Sequence, residues 1–197
     1  MLDMRTTVQP YADPDKRIMV LDYGHYLRLP MFALAGCSES KVVDQQAAAE
    51  AALTLMTDAL AGGNIVHDLG YLESGLTGSL AQLAICNEIL GWLEHFVRGV
   101  DVSDEALCLD LIDEAGPDGY YIDSDHTFEH FRERWYPTIF ERNNYEGWLA
   151  EGGKTLGERA TEQVNKILAE HKPEPLPDDI AKAVHAITER AEKELGS

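Results

Sequence analysis

The apolar positions of this chain change period several times, and each change predicts an element. Asp13-Pro14 reads as an N-cap and first helical residue. The pattern after it predicts a helix to about residue 27, with Ile18, Leu21 and Tyr26 facing inward. Pro30 punctuates it. The run Met31-Phe32-Ala33-Leu34-Ala35, closed by Gly36, is short and continuously apolar, which predicts a buried strand. Broad, alanine-rich spacing over 43–61 predicts a helix packed tightly on a sheet, ended by Gly62-Gly63. Residues 64–67 read as the next strand and 79–96 as a third helix. Helix, strand, helix, strand, helix implies parallel strands joined by helical crossovers.

The character changes after Gly99. A short helix is predicted from Ser103 to about Glu114, then a turn cluster at Gly116-Pro117-Asp118-Gly119. A helix is expected over about 127–140. Thr155 and Glu158 match a capping box, opening a helix to about residue 170. Pro173, Pro175 and Pro177 form a stiff spacer. Asp178 leads a last amphipathic helix with Ile180, Val184, Ile187, Ala191 and Leu195 on one face. Two strands, or three if Leu2-Asp3-Met4 is counted, cannot close an eight-stranded barrel and would leave bare edges. The chain therefore reads as one piece of a larger protein, or as one whose edges another copy or partner covers.

Composition narrows the function classes. Sixteen basic residues against 35 acidic give a net charge of -19. That argues against a nucleic-acid binder, which needs a basic footprint. It suits a cationic ligand, a basic partner, or simply an acidic surface. No apolar run approaches the ~20 residues of a membrane helix. The N-terminus lacks the apolar stretch of a signal peptide. Cys37, Cys86 and Cys108 lie far apart and match neither a disulfide framework nor a metal motif. A cytoplasmic location is the simplest expectation.

Three stretches could carry chemistry. His67-Asp68 stands where a strand ends, so His67 is either a proton donor or polar clamp oriented by Asp68, or a histidine satisfied by backbone. Tyr71 and Glu73 follow on a glycine-punctuated loop; an aromatic face and a carboxylate suit a quaternary ammonium. Cys37, after the other strand, is a nucleophile only if Lys41 or the following helix lowers its pKa; otherwise it belongs to a turn. His126, Glu129 and His130 match the H-x-x-E-H pattern of zinc hydrolases, without an evident third ligand. There is no phosphate loop, no dinucleotide fingerprint and no D-x-H-x-x-G corrinoid motif.

Taken with its surroundings, the His67 segment closely resembles the trimethylamine methyltransferase family. The matching blocks are Leu2 to Arg5, Leu29-Pro30, Ala35 to Ser38, residues 41–50 and 64–79, Gly116 to Gly119, His126 to Phe128, Phe131-Arg132 and Arg142 to Trp148. The resemblance is to the C-terminal portion, about two fifths of a full-length member. It implies an α/β fold: residues 1–99 as the C-terminal βα units of a (β/α)8 TIM-type barrel, and 100–197 as a helical C-terminal extension. It implies methyl transfer from a small methylated amine, such as trimethylamine or glycine betaine, to the cobalt of a corrinoid (cobalamin) carried by a cognate partner protein. It also implies that His67 contacts substrate, with Tyr71, Glu73, Ser74 and Gly75 lining the same pocket. The position that carries pyrrolysine in the trimethylamine branch falls at Cys37, so the branch without pyrrolysine fits better. No metal is expected in the chain itself, and homo-oligomerisation would cover the edges. The alternatives are a non-catalytic truncated paralogue acting as an interaction module, and a zinc hydrolase built on His126, Glu129 and His130.

Overall fold

The computed structural model describes residues 2–196. The chain forms two compact units, Met1–Asn165 and Lys166–Ser197.

In the first unit, helix α1 (Pro14–Leu27) leads to strand β1 (Phe32–Leu34), helix α2 (Gln45–Leu60) and strand β2 (Ile65–His67). The strands pair in parallel, Phe32 opposite Ile65, Ala33 opposite Val66 and Leu34 opposite His67. This is the expected crossover, and the two helices that follow the strands start where polar caps appear. Asp44 accepts from the Ala47 N–H at 3.0 Å to open α2. Ser79 accepts from the Gln82 N–H to open α3 (Leu80–Val97). The alanine spacing of α2 has its predicted result. Ala47 and Ala51 are fully buried, and Ala51, Leu55, Ile85, Cys86 and Ile89 join Ala35 in one core cluster. Each fully buried Leu or Ile there stabilises by about 1.5–3 kcal/mol.

Several expectations need correction. On α1 only Leu21 of the three predicted inward residues is buried; Ile18 and Tyr26 are exposed, and Arg17 and Gly24 face in instead. Apolar and polar residues are spread evenly around this helix, so its sequence could not reveal which side meets β1 and α2. The strand predicted as buried is covered on one face only: Ala33 is buried, while Phe32 is 60% exposed. Residues 2–4 add no strand; the Asp3 carboxylate instead accepts from the Arg5 N–H at 2.9 Å and the Thr6 hydroxyl, which fixes a turn. Among the described residues the parallel sheet has two strands, and a barrel is not formed.

A hairpin absent from the sequence reading follows β2. Strand β3 (Tyr71–Leu72) pairs antiparallel with β4 (Thr77–Gly78). Short helices then succeed one another: α4 (Asp104–Leu107), α5 (Leu109–Ala115), α6 (Asp125–His130) and α7 (Tyr145–Ala150). Cys108, at φ 44°, breaks the helix predicted from Ser103 to about Glu114 in two. The helix expected over 127–140 stops at His130 because the chain is claimed elsewhere. The buried Glu88 carboxylate accepts from the N–H groups of Thr138, Ile139 and Phe140 and from the Thr138 hydroxyl. Pro137 also disfavours helix at the residue before it. The capping box of α8 (Leu156–Glu170) forms as expected: Thr155 N–H to Glu158 at 2.7 Å, and Glu158 N–H to the Thr155 hydroxyl at 3.3 Å.

The second unit holds the end of α8, the proline spacer without regular structure, and α9 (Asp178–Leu195). Ile180, Val184 and Ile187 of its apolar stripe are exposed. No helix among the described residues is long and apolar enough to cross a membrane.

Candidate functional site

The site begins where β2 ends. Leu34, Phe32, Ile65 and His67 lie on one face of the sheet by register, so the strand carries His67 to its end on the face that the helices leave open. The Phe32 and His67 rings are 4.4 Å apart. The chain then turns left-handed at Asp68, φ 77°, a conformation that aspartate tolerates better than most residues. This turn brings the Asp68 carboxylate back onto its neighbour, Oδ1 to His67 Nδ1 at 2.6 Å. The carboxylate is nearly buried and its Oδ2 has no hydrogen-bond partner, while the imidazole is 38% exposed. Donation from Nδ1 to Asp68 leaves Nε2 as the ring atom for a ligand. The partner of the imidazole is thus the Asp68 side chain.

Gly70 lets the chain pass under α3. A Cβ on it would lie 2.8 Å from the Leu83 Cβ, and its φ is +81°. Glu73, Ser74 and Gly75 then form a turn with three consecutive positive φ values, 51°, 54° and 82°. The loop after β1 holds this turn in place. Ser38 N–H donates to Tyr71 O at 2.9 Å, Glu73 N–H to Ser40 O at 2.9 Å, and Ser74 N–H to Ser38 O at 3.3 Å. Tyr71, Ser74 and Gly75 are thus neighbours. The Glu73 carboxylate accepts from the Thr77 hydroxyl at 3.3 Å, within the hairpin.

Two residues that the sequence did not single out join them. Glu39 accepts from the Ser74 hydroxyl with one carboxylate oxygen, and from the Tyr11 and Ala12 N–H groups with the other. The Tyr11 ring reaches Gly75: a Cβ there would lie 3.7 Å from Tyr11 and 3.9 Å from Tyr71. No local signal could reveal this, since Tyr11 and Ser74 lie far apart in sequence.

Cys37 sits beneath this surface, fully buried. The Arg17 guanidinium lies 3.4 Å from its sulfur and 3.5 Å from Asp58. Burial pushes the Cys37 thiol up, and Arg17 only partly offsets it. Burial also raises the Asp58 carboxyl against the pull of Arg17. Lys41, the suggested activator of Cys37, donates instead to the Glu39 main-chain oxygen at 2.7 Å. The conditions for a thiolate nucleophile are therefore not met. A cavity of about 240 Å³ opens beside β1, lined by Tyr11, Arg17, Leu21, Phe32 and Leu34 among others; His67 and the Glu73–Gly75 turn do not line it.

His126 and His130 do share one side of α6, with rings 4.4 Å apart. One ring nitrogen of each is engaged, however. His126 Nε2 meets Glu105 O at 2.9 Å, and His130 Nδ1 meets Glu133 at 2.7 Å, which raises the His130 pKa. Among the described residues no three His, Cys, Asp or Glu side chains are grouped to hold a metal ion.

The geometry is that of a histidine hydrogen-bonded to a neighbouring carboxylate at the C-terminal end of two parallel strands, the end of an α/β sheet where ligands commonly bind. Comparison with known proteins names the family. The model of the trimethylamine methyltransferase (MTTB) family matches residues 3–196. A trimethylamine methyltransferase MttB of Desulfitobacterium hafniense is 36% identical over the whole of this chain and 40% of its own length. One from Methanosarcina barkeri is 30% identical over 97% of the chain and 39% of its own. A glycine betaine methyltransferase of D. hafniense is 30% identical over 98% and 41%. The chain belongs to the trimethylamine methyltransferase family. It spans about 40% of the length of these relatives.

Proposed function

We propose that this chain is the C-terminal portion of a methyltransferase that takes a methyl group from a methylated amine and delivers it to the cobalt of a corrinoid on a separate protein. The observation that carries the reading is the His67–Asp68 pair at the end of a parallel strand, in a chain matched by this family nearly end to end. The relatives' names supply the amine class. Their extra length leaves room for the rest of a (β/α)8 barrel, in which residues 1–99 would be the last βα units and 100–197 a helical extension. The unpaired strand edges would then be covered by the rest of the barrel; a second copy is the other way to cover them.

A quaternary amine is the substrate that fits best. Its N–CH3 bond breaks with the bonding pair left on nitrogen, so the departing tertiary amine is neutral and needs no proton. The cobalt, an acceptor substrate here, supplies the electron pair for the new bond. The residues of this chain then have a geometric task. His67, held by Asp68, clamps the polar end of the amine through Nε2. Tyr71 and Glu73 attract the cation by its charge. The turn through Ser74 and Gly75 gives the wall its shape. Cys37, at the pyrrolysine-equivalent position, has no chemical step in this reading.

The test is visible absorbance of cobalt(I) corrinoid mixed with this 197-residue chain and, in turn, trimethylamine, glycine betaine, proline betaine and carnitine. A spectral change with one amine is expected if the chain suffices. No change with any, while a full-length relative reacts in the same cuvette, would make this chain an incomplete enzyme or the interaction module.

A further inference from the structure

The structure assigns to Glu39 a role that nothing in its local sequence announces: it is the positioning residue that fixes the Glu73–Gly75 turn and the Tyr11 ring against each other. The amine as ligand rests on the proposed function above; the geometry does not.

Glu39 is anchored independently of its own side chain. Its N–H donates to Glu50 Oε2 at 2.8 Å, and the Ser38 hydroxyl donates to the same oxygen at 2.6 Å. The Ser40 N–H in turn donates to the Ser38 hydroxyl at 2.9 Å. From this fixed base the carboxylate reaches two distant segments. Oε1 accepts from the N–H groups of Tyr11 and Ala12, and Oε2 from the Ser74 hydroxyl. Among the described residues no ion pair competes for it.

Both segments need an outside tie. Residues 8–12 belong to no helix or strand. Glu73 and Ser74 are consecutive non-glycine residues with left-handed φ, which is unfavourable without support. Main-chain bonds from Ser38 and Ser40 hold the backbone of the turn. Glu39 is the side chain that joins it to Tyr11, and Tyr11 and Tyr71 both reach Gly75. Two aromatic rings held on one turn suit a quaternary ammonium. Glu39 would set the spacing of that wall without touching the ligand.

The experiment uses the whole chain in four forms: wild type, Glu39→Ala, Glu39→Gln and Ser74→Ala. Amide hydrogen exchange reads the geometry, and calorimetric titration with tetramethylammonium reads the site. Glu39→Ala is expected to speed exchange at Tyr11 and Ala12 more than about tenfold, with α2 and α3 unchanged. It is expected to weaken tetramethylammonium binding by about tenfold as the wall loosens. Glu39→Gln keeps an acceptor oxygen and should restore protection and affinity. Ser74→Ala should leave Tyr11 and Ala12 protected. Unchanged exchange at Tyr11 and Ala12 in Glu39→Ala would overturn the inference. So would faster exchange spread through α2 and α3, or a freed Tyr11 with undiminished binding. A wild-type chain that binds no tetramethylammonium would remove the amine from the proposed function, and the exchange data alone would then decide the role of Glu39.

Discussion

His67 and Asp68 are adjacent in sequence, yet their side chains meet, Nδ1 to Oδ1 at 2.6 Å, because the backbone turns left-handed at Asp68. In an extended strand the two would point to opposite faces. The turn therefore converts a strand-end histidine into an oriented one.

Removing that imidazole tests its role directly. In a full-length context, His67→Ala is expected to lower kcat/KM for methyl transfer by about 10- to 100-fold, the loss of one strong polar contact. Asp68→Asn should cost less, since Nδ1 keeps an acceptor. Methyl transfer at the wild-type rate in His67→Ala would end the assignment.

Glu88 predicts an acid limit on stability. Burial by itself would raise its pKa, but hydrogen bonds from Thr138, Ile139 and Phe140 outweigh burial and hold it below the usual glutamate value. Its stabilisation is then fully present above the unfolded value of about 4.3 and fades as pH falls through the lower folded value. Glu88→Gln should destabilise by about 1.5–3 kcal/mol at pH 7. The difference should shrink at pH values below about 4. Urea melts at several pH values would show this, and a constant difference would contradict it.

The Arg17–Asp58 pair is buried and long, at 3.5 Å, with Asp58 Oδ1 unpartnered. Arg17→Met leaves a buried carboxylate alone and should cost about 3–5 kcal/mol. Adding Asp58→Leu should recover most of that. Equal melting temperatures for the single and double variants would show that the pair is not coupled.

Thiol labelling should separate the cysteines. Cys86 is buried and pushed up to about 11, and burial raises Cys37 too. Cys108 is partly accessible. Iodoacetamide at pH 8 should label Cys108 first in the folded chain, as read by peptide mass spectrometry. Faster labelling at Cys37 would revive it as a nucleophile.

The elements legible beforehand are those with local causes. The helices α2, α3 and α8 stand where caps and apolar spacing put them, α9 follows its apolar stripe without a side-chain cap, and Thr155 and Glu158 form their reciprocal bonds. The strands around Ala33 and Val66 were short apolar runs between turns. The misreadings have non-local causes. The helix expected over 127–140 ends at His130 because Glu88, some fifty residues away, takes the N–H groups of Thr138 to Phe140. Ile18 and Tyr26 are exposed because the facing side of α1 was set by its neighbours.

For the site, the sequence by itself determined which groups are available: a histidine and aspartate at a strand end, two tyrosines, and a glycine-rich turn. It also determined the family, because residue types in order along the chain suffice for that. Only the tertiary structure decided which groups meet. Glu39 joins Tyr11 to Ser74 across 28 and 35 residues, and Arg17 lies on Cys37 across 20. Such contacts depend on how the helices pack on the strands, which no window of sequence contains. The single-residue turn at Asp68 is local, but its effect on His67 follows from a backbone angle that most aspartates never adopt.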